Sequence, residues 1–268
     1  CMNYRDWHNK AVELSENGMS KQHEMVGKIF PTNNGGDCVI VEYINATNVR
    51  VKFLDEYEHE VQTSMKSVRL GTIRNPFAKS VHGVGYLGFG KYRTTENRVH
   101  TKAYILWFGI IEGCYSERSL RKNPTYRGCT VHEDWHNFQN FAEWYYNQEF
   151  RDKGYEIDKD VLSGNEKMYS SNTCCFLPKE INSLFNESKA TRTNMPQGVY
   201  LNKRTGSYVA QLSVGTGKRE YFGSHKTPEY AFEAYKIAKE LYVKEVVMKW
   251  KGKIDDKVFS LLMDSTLN

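Results

Sequence analysis

Residues 198–223 read GVYLNKRTGSYVAQLSVGTGKREYFG and predict three short strands joined by two turns, because runs rich in Val, Tyr and Leu alternate with Gly-, Asn- and Lys-containing breaks. The next stretch, 228–248, predicts a helix in which Ala231, Ala234 and Ala238 recur on one face. Small side chains on that face let a helix lie close against a sheet. The C-terminal quarter is therefore predicted to be a three-stranded sheet covered by one helix.

The sheet face opposite that helix is predicted to carry hydrogen-bonding and aromatic side chains. These residues are Tyr200, Asn202, Gln211, Ser213, Arg219 and Tyr221. An ordinary solvated face would show Lys and Glu instead. Arg219 has the donors to read a guanine edge and Gln211 the amide to read an adenine, while Lys203, Arg204 and Lys218 in the turns suit phosphates. A purely structural sheet is the alternative.

The net charge of +5 is distributed unevenly along the chain. Residues 183–250 hold 11 Lys and Arg against 6 Asp and Glu, and residues 100–182 hold 10 against 12. A basic segment is a candidate nucleic-acid footprint, and an acidic one is a candidate metal site. Ordinary solvated surface would give the same totals, so the charge directs attention to these segments without deciding their function.

The C-terminal quarter resembles the DNA-binding domain of plant ethylene-response factors, which also occurs in mobile-element endonucleases. The resemblance is carried by Gly198-Val199-Tyr200, Tyr208-Val209-Ala210-Gln211-Leu212, Tyr221-Phe222-Gly223 and Glu229-x-Ala231-x-x-Ala234-Tyr235. In that family the sheet enters the major groove of double-stranded DNA, so the resemblance implies DNA contacts by the six face residues. The sheet here carries fewer arginines than the family pattern, which implies weaker or different sequence specificity.

The central segment combines an aspartate in a predicted hairpin with an asparagine on the helix that follows from Pro178. Asp158 and Asn182 can converge on one hard cation, since such cations prefer oxygen ligands, and Mg²⁺ or Mn²⁺ is the expected ion. Such an ion stabilises the charge that develops in phosphodiester cleavage. The alternative is that both side chains cap local structure.

This segment resembles the HNH (ββα-metal) endonucleases, in which a strand ends in Asp-His and a helix carries Asn. The resemblance implies that Asp158 and Asn182 are metal ligands, but Lys159 stands where the general-base histidine is expected. Three readings follow: His132 or His136 is the base, Lys159 is a base with a depressed pKa, or the core is inactive. Asp160 is the further candidate catalytic carboxylate. His132 and His136 also have the i, i+4 spacing of a helical metal pair.

Residues 101–185 also resemble bacteriophage endonuclease-like proteins. The phrases include Pro124-Thr125-Tyr126-x-Gly128-Cys129 and Trp135-x-Asn137-Phe138-x-x-Phe141-x-x-Trp144. The resemblance implies a DNA-hydrolysing homing endonuclease in the cytoplasm of an infected bacterial host. A catalytically inactive DNA-binding or regulatory protein is the alternative, and a protein-binding role of the N-terminal β module is a third.

The chain as a whole is predicted to be a multidomain α+β protein. The expected parts are an N-terminal β module with a leading helical segment (1–80), a Gly-rich linker (81–99), an HNH-like core (100–186), a DNA-binding sheet-helix domain (187–250) and a C-terminal tail (251–268). Within the core, helices are expected over 100–122 and 133–149. The linker contains Gly83-x-Gly85-x-x-Gly88, but it lacks the strand and helix that a dinucleotide loop requires.

Six cysteines without Cys-x-x-Cys spacing predict a reduced, cytosolic protein. A structural zinc site formed by Cys114, Cys129, Cys174 and Cys175 is less favoured than buried thiols. No secretory leader is visible, and the longest apolar stretches are far shorter than a bilayer requires, so no membrane partner is expected. The sequence carries no prediction of oligomeric state.

Overall fold

A computed structural model describes residues 9–10, 12–13, 24–164, 166–185, 195–215 and 217–264. Two compact units are present, Cys1–Glu143 and Trp144–Asn268. Several antiparallel sheets and helices alternate along the chain, which confirms the predicted α+β class. The division between the units lies inside the segment 100–186, which we expected to form one nuclease core. Most of the expected N-terminal helical segment lies outside the described residues.

The first unit contains a four-stranded antiparallel sheet in the order β1-β2-β3-β4. Its strands are β1 (Ile29–Pro31), β2 (Asp37–Asn45), β3 (Asn48–Phe53) and β4 (Glu60–Thr63). Alternation along β3 buries Val49, Val51 and Phe53 while Arg50 faces solvent. The antiparallel β module predicted from the sequence is therefore confirmed.

Helices follow this sheet. The elements are α1 (Met65–Arg69), the short strands β5 (Thr95–Glu96) and β6 (Val99–His100), α2 (Lys102–Tyr115), α3 (Glu117–Lys122), β7 (Thr130–Val131) and α4 (Phe138–Tyr146). The single helix expected over 100–122 is wrong, because Ser116 is extended and caps α3 through its hydroxyl. The helix expected over 133–149 starts late, because Glu133–His136 form a 3-10 turn.

The Gly-rich stretch expected to be a linker is hydrogen-bonded into the first unit. The amide of Tyr86 donates to the His136 carbonyl at 2.9 Å, and the amide of Phe138 donates to the Tyr86 carbonyl at 2.9 Å. A Cβ at Gly85 would lie 2.9 Å from the Trp107 ring. These glycines therefore provide close approach of the backbone to its neighbours rather than chain freedom.

The second unit begins with a hairpin and ends with a sheet and two helices. Its elements are β8 (Glu156–Asp158), α5 (Asp160–Ser163), β9 (Met168–Tyr169), β10 (Cys175–Leu177), α6 (Lys179–Phe185), β11 (Val199–Asn202), β12 (Ser207–Val214), β13 (Lys218–His225), α7 (Pro228–Met248) and α8 (Asp256–Asp264). The three predicted strands and the helix over 228–248 are confirmed. Thr227 caps α7 by accepting from the Tyr230 amide, with Pro228 in the first turn.

Helix α7 packs into two hydrophobic clusters. Its first half places Ala231 and Tyr235 against Val199, Ala210 and Leu212 of the sheet. Its second half belongs to the cluster Leu177, Ile181, Val243, Val246, Val247, Ile254, Val258 and Leu262. The segment 251–268, which we expected to be a tail, thus contributes α8 to a core. Residues 265–268 lie outside the described residues.

Candidate nucleic-acid interface and metal site

The six predicted DNA-contacting residues of the C-terminal sheet lie on its face away from α7. Pairing of β12 with β13 sets Gln211 opposite Tyr221 and Ser213 opposite Arg219. Because neighbours along a strand point to opposite faces, these four residues lie on the side opposite the buried Leu212. The same reasoning on β11 places Tyr200 and Asn202 on that side, because Val199 packs toward the helix. The predicted face is therefore confirmed as a single surface, which we call the open face.

Most side chains of the open face are left free by the rest of the protein. The ring of Tyr221 is 64% exposed, and Ser213 and Arg219 are exposed as well. Within the described part of the chain, the side chains of Tyr200, Gln211, Ser213, Arg219 and Tyr221 make no hydrogen bond or ion pair. Asn202 is the exception, because its Oδ1 accepts from the Arg204 amide at 3.1 Å and shapes the turn.

The three cations expected at phosphates border the sheet at its turns. Lys203 and Arg204 are exposed in the turn between β11 and β12. Lys218 begins β13, and its Nζ lies 2.8 Å from the Glu220 carboxylate. Lys218 is therefore partly neutralised, whereas the other two cations keep their charge available.

The central segment pairs two strands, with α5 and β9 in the connection between them, and a helix follows the second strand. Strand β8 pairs antiparallel with β10, with Asp158 opposite Cys175, and α6 follows after Pro178. Asp158 therefore ends the first strand of the hairpin, and Asn182 lies on the helix that follows the second strand.

The carboxylate of Asp158 is used by its own chain. Its Oδ1 accepts hydrogen bonds from the amides of Asp160 at 2.9 Å and Val161 at 2.8 Å, which begins α5. Burial raises the pKa of Asp158, and these two amides oppose the rise in part. The structural role that the sequence left open as an alternative is thus observed, and Oδ2 is the oxygen that could still hold a cation.

Asn182 contacts a carboxylate that sequence reasoning missed. Its Nδ2 donates to Glu156 Oε2 at 2.8 Å, which joins α6 to β8. Glu156 lies two residues before Asp158, so the two carboxylates share one face of the strand. That spacing was the available signal for Glu156. The Asn182 Oδ1 atom makes no hydrogen bond within the described residues.

Lys159, the residue in place of the expected histidine, is nearly buried. Its side chain is 12% exposed, its Nζ forms an ion pair with the Asp160 carboxylate, and it lies 5.8 Å from the centre of the Tyr169 ring. The exposed Asp160 thereby supplies a counter-charge.

The two candidate histidines belong to the first unit, whereas Asp158 and Asn182 belong to the second. His132 Nδ1 accepts from the Asp134 amide at 3.3 Å, and His136 Nε2 lies 3.0 Å from the Val131 carbonyl. Burial lowers the pKa of His136. The expected helical pair is wrong, because a 3-10 turn has three residues per turn and does not align residues four apart.

Among the residues that the structure describes, no three His, Cys, Asp or Glu side chains are grouped so as to hold a metal ion. Cys114, Cys129, Cys174 and Cys175 are buried and form no disulfide among the described residues. Burial raises the pKa of Cys174 to about 12 and also raises that of Cys175, which favours the thiol over the thiolate that zinc requires.

Comparison with known proteins gives no match to any family model, to any curated protein or to any solved structure. In the described part of the chain, no helix combines the length and the apolar composition needed to cross a membrane.

Proposed function

We propose that the protein binds double-stranded DNA through the open face of its C-terminal sheet. The observation that carries the proposal is the convergence of six polar and aromatic side chains on one face, five of them without an intramolecular partner in the described residues. Free donors and acceptors can bind a ligand without first breaking contacts within the protein.

The dimensions of the sheet support this proposal. Strands lie about 4.8 Å apart, so three strands span about 10 Å, which is comparable with the width of about 12 Å of the major groove. Arg219 would read a guanine edge and Gln211 an adenine. Lys203 and Arg204, at one end of the sheet, would contact phosphates and set the position of the duplex.

Binding of the full chain to a labelled duplex at several salt concentrations tests the proposal. The logarithm of the affinity should fall linearly with the logarithm of the salt concentration, since contacts to phosphates release counterions. An affinity that does not change with salt, or no binding to the duplex, would overturn the proposal. A variant of Lys236, which is paired with Glu233 on α7, serves as the matched control.

We propose, as a second function, metal-dependent cleavage of DNA by an HNH-type core. The supporting observation is the strand-strand-helix order of β8, β10 and α6, with Asp158 and Asn182 at the expected places in that order. The Oδ2 atom of Asp158 and the Oδ1 atom of Asn182 would hold Mg²⁺ or Mn²⁺, which supplies charge stabilisation when bound. Lys159 would then hold a substrate phosphate rather than act as the base.

Nicking of supercoiled plasmid in the presence of Mg²⁺ or Mn²⁺ tests this second function. Cleavage by the wild type that is lost in Asp158→Ala and Asn182→Ala, but kept in the control Asp256→Asn on α8, supports it. Absence of cleavage with every divalent cation would leave the alternative, a DNA-binding protein with an inactive core.

A further inference from the structure

A pocket of about 330 Å³ lies in the second unit beside the edge of β12. Strand β11 pairs with residues 207–210 of β12 and leaves residues 211–214 without a strand on that side in the described part of the chain. The lining includes Gln211 and Ser213 from this edge, Arg219 from β13, and Tyr235 and Lys239 from α7. The pocket is therefore continuous with the open face, since Gln211, Ser213 and Arg219 belong to both.

The lining of this pocket is basic and rich in hydrogen-bond donors. Arg219 and Lys239 are its two cations, and none of its described lining residues is acidic. Hydroxyl and amide groups are supplied by Ser183, Ser213, Gln197 and Gln211. Two cations surrounded by neutral donors are the chemistry that binds a phosphate group.

Lys239 differs from the lysines on and next to α7 that form ion pairs. Lys236, Lys244 and Lys249 each lie within 2.7–3.0 Å of a glutamate three or four residues earlier. Lys239 has no carboxylate partner among the described residues, because Tyr235 lies four residues before it. Burial lowers the pKa of Lys239, and no neighbouring charge offsets that effect. A half-buried cation without a counter-charge is costly to keep, and a bound anion would offset the cost.

We propose that this pocket binds a backbone phosphate of the DNA, with the ammonium group of Lys239 as the contacting cation. Arg219 borders both surfaces and keeps the base-reading role proposed above. The inference rests on the proposed DNA-binding function and adds a phosphate site on the covering helix rather than on the sheet. A duplex lying on the open face passes the edge of β12, because Ser213 and Arg219 border both surfaces. No pattern in the sequence predicts this phosphate site, since Lys239 resembles any other lysine of an exposed helix face.

The salt dependence of duplex binding tests the inference with three variants of the full chain. One lost phosphate contact makes the slope of log affinity against log salt less negative by about 0.9. Between about 50 and about 200 mM salt, the affinity of Lys239→Gln should therefore fall about 3.5-fold less than that of the wild type. Lys239→Arg should keep the wild-type slope because it keeps the charge, and the control Lys236→Gln should keep it as well.

The outcomes separate this inference from the proposed function. Wild-type binding with an unchanged slope in Lys239→Gln would overturn the phosphate site and leave DNA binding intact, whereas no binding by the wild type would overturn both. NMR of the Lys239 side chain, titrated with inorganic phosphate and then with duplex, identifies the source of the anion. A rise in the Lys239 pKa with duplex supports the inference. A rise with millimolar inorganic phosphate alone, without a change in the DNA slope, would instead indicate a free-phosphate site and overturn it.

Discussion

The open face of the C-terminal sheet and the β8-β10-α6 segment use their polar side chains in opposite ways. On the open face, five of the six side chains, those of Tyr200, Gln211, Ser213, Arg219 and Tyr221, make no hydrogen bond or ion pair among the described residues. In the central segment, Asp158 caps α5 and Asn182 bonds to Glu156, so each contributes to local structure. Free polar groups are ready to bind a ligand, whereas engaged groups must share or give up a contact first. The geometry of these two regions therefore supports DNA binding more directly than DNA cleavage.

Replacement of Gly198 by alanine should have the largest effect on stability, because it disturbs the packing of α7 beneath the sheet that carries the open face. Gly198 has a φ of +73°, and a Cβ there would overlap the Tyr235 ring of α7. We expect the free energy of unfolding to fall by about 2–4 kcal/mol from overpacking and backbone strain together. Urea denaturation measures this loss.

Gly206→Ala is the matched control for that experiment. Gly206 has a similar φ of +68° but no atom within 4 Å of its would-be Cβ. Its loss should be limited to backbone strain, about 1 kcal/mol. Equal losses in the two variants would contradict the close packing of the sheet against α7.

Arg219→Ala should weaken DNA binding by about 1–3 kcal/mol and relax the sequence preference. The expected cause is the loss of a free guanidinium from the open face, so the stability of the protein should not change. Arg204→Ala should weaken binding to all sequences about equally, since a phosphate contact carries no sequence information. Equal, sequence-independent losses for both variants would show that Arg219 does not read bases.

Asp158→Ala should cost about 1 kcal/mol of stability, because Oδ1 no longer receives the two amides that begin α5. Asp158→Asn keeps an oxygen in that place and should remain close to the wild type. Neither change should alter DNA affinity. A large loss of DNA affinity in Asp158→Asn would show that Asp158 takes part in DNA binding. The open face and the central segment would then form one functional site.

The smallest effect is expected from the half-buried imidazole of His136. Burial lowers its pKa below the ordinary value of 6.5, so the unfolded chain takes up a proton at higher pH than the folded protein does. His136 therefore contributes stability that is present above about pH 6.5 and is lost as the pH falls through the lowered value. Unfolding measured from pH 8 to pH 5 should show a steeper fall for the wild type than for His136→Gln. Parallel curves at all pH values would contradict the effect of burial.

Local signals in the sequence predicted much of the fold. The start of α7 follows from the Thr227 cap and Pro228, and the open face follows from two-residue alternation over residues 211–214 of β12, beyond a register shift between Val209 and Gln211. The break at Ser116 was missed, because a serine inside a helical pattern is tolerated locally and becomes a cap only through its hydroxyl. The hydrogen bond between Asn182 and Glu156 joins residues 26 positions apart, and no local pattern in the sequence predicts that these two side chains meet.

The two hydrophobic clusters on α7 have a consequence for how the second unit unfolds. A helix of 21 residues is about 30 Å long, and here its two halves are fixed in different cores that share Tyr242. The hydroxyl of Tyr242 also accepts from the Gly215 amide, at the end of β12. Helix α7 therefore connects the sheet to the hydrophobic cluster formed by β10, α6 and α8. Because this one helix belongs to both clusters, the sheet and the β8-β10 hairpin should melt in a single cooperative transition.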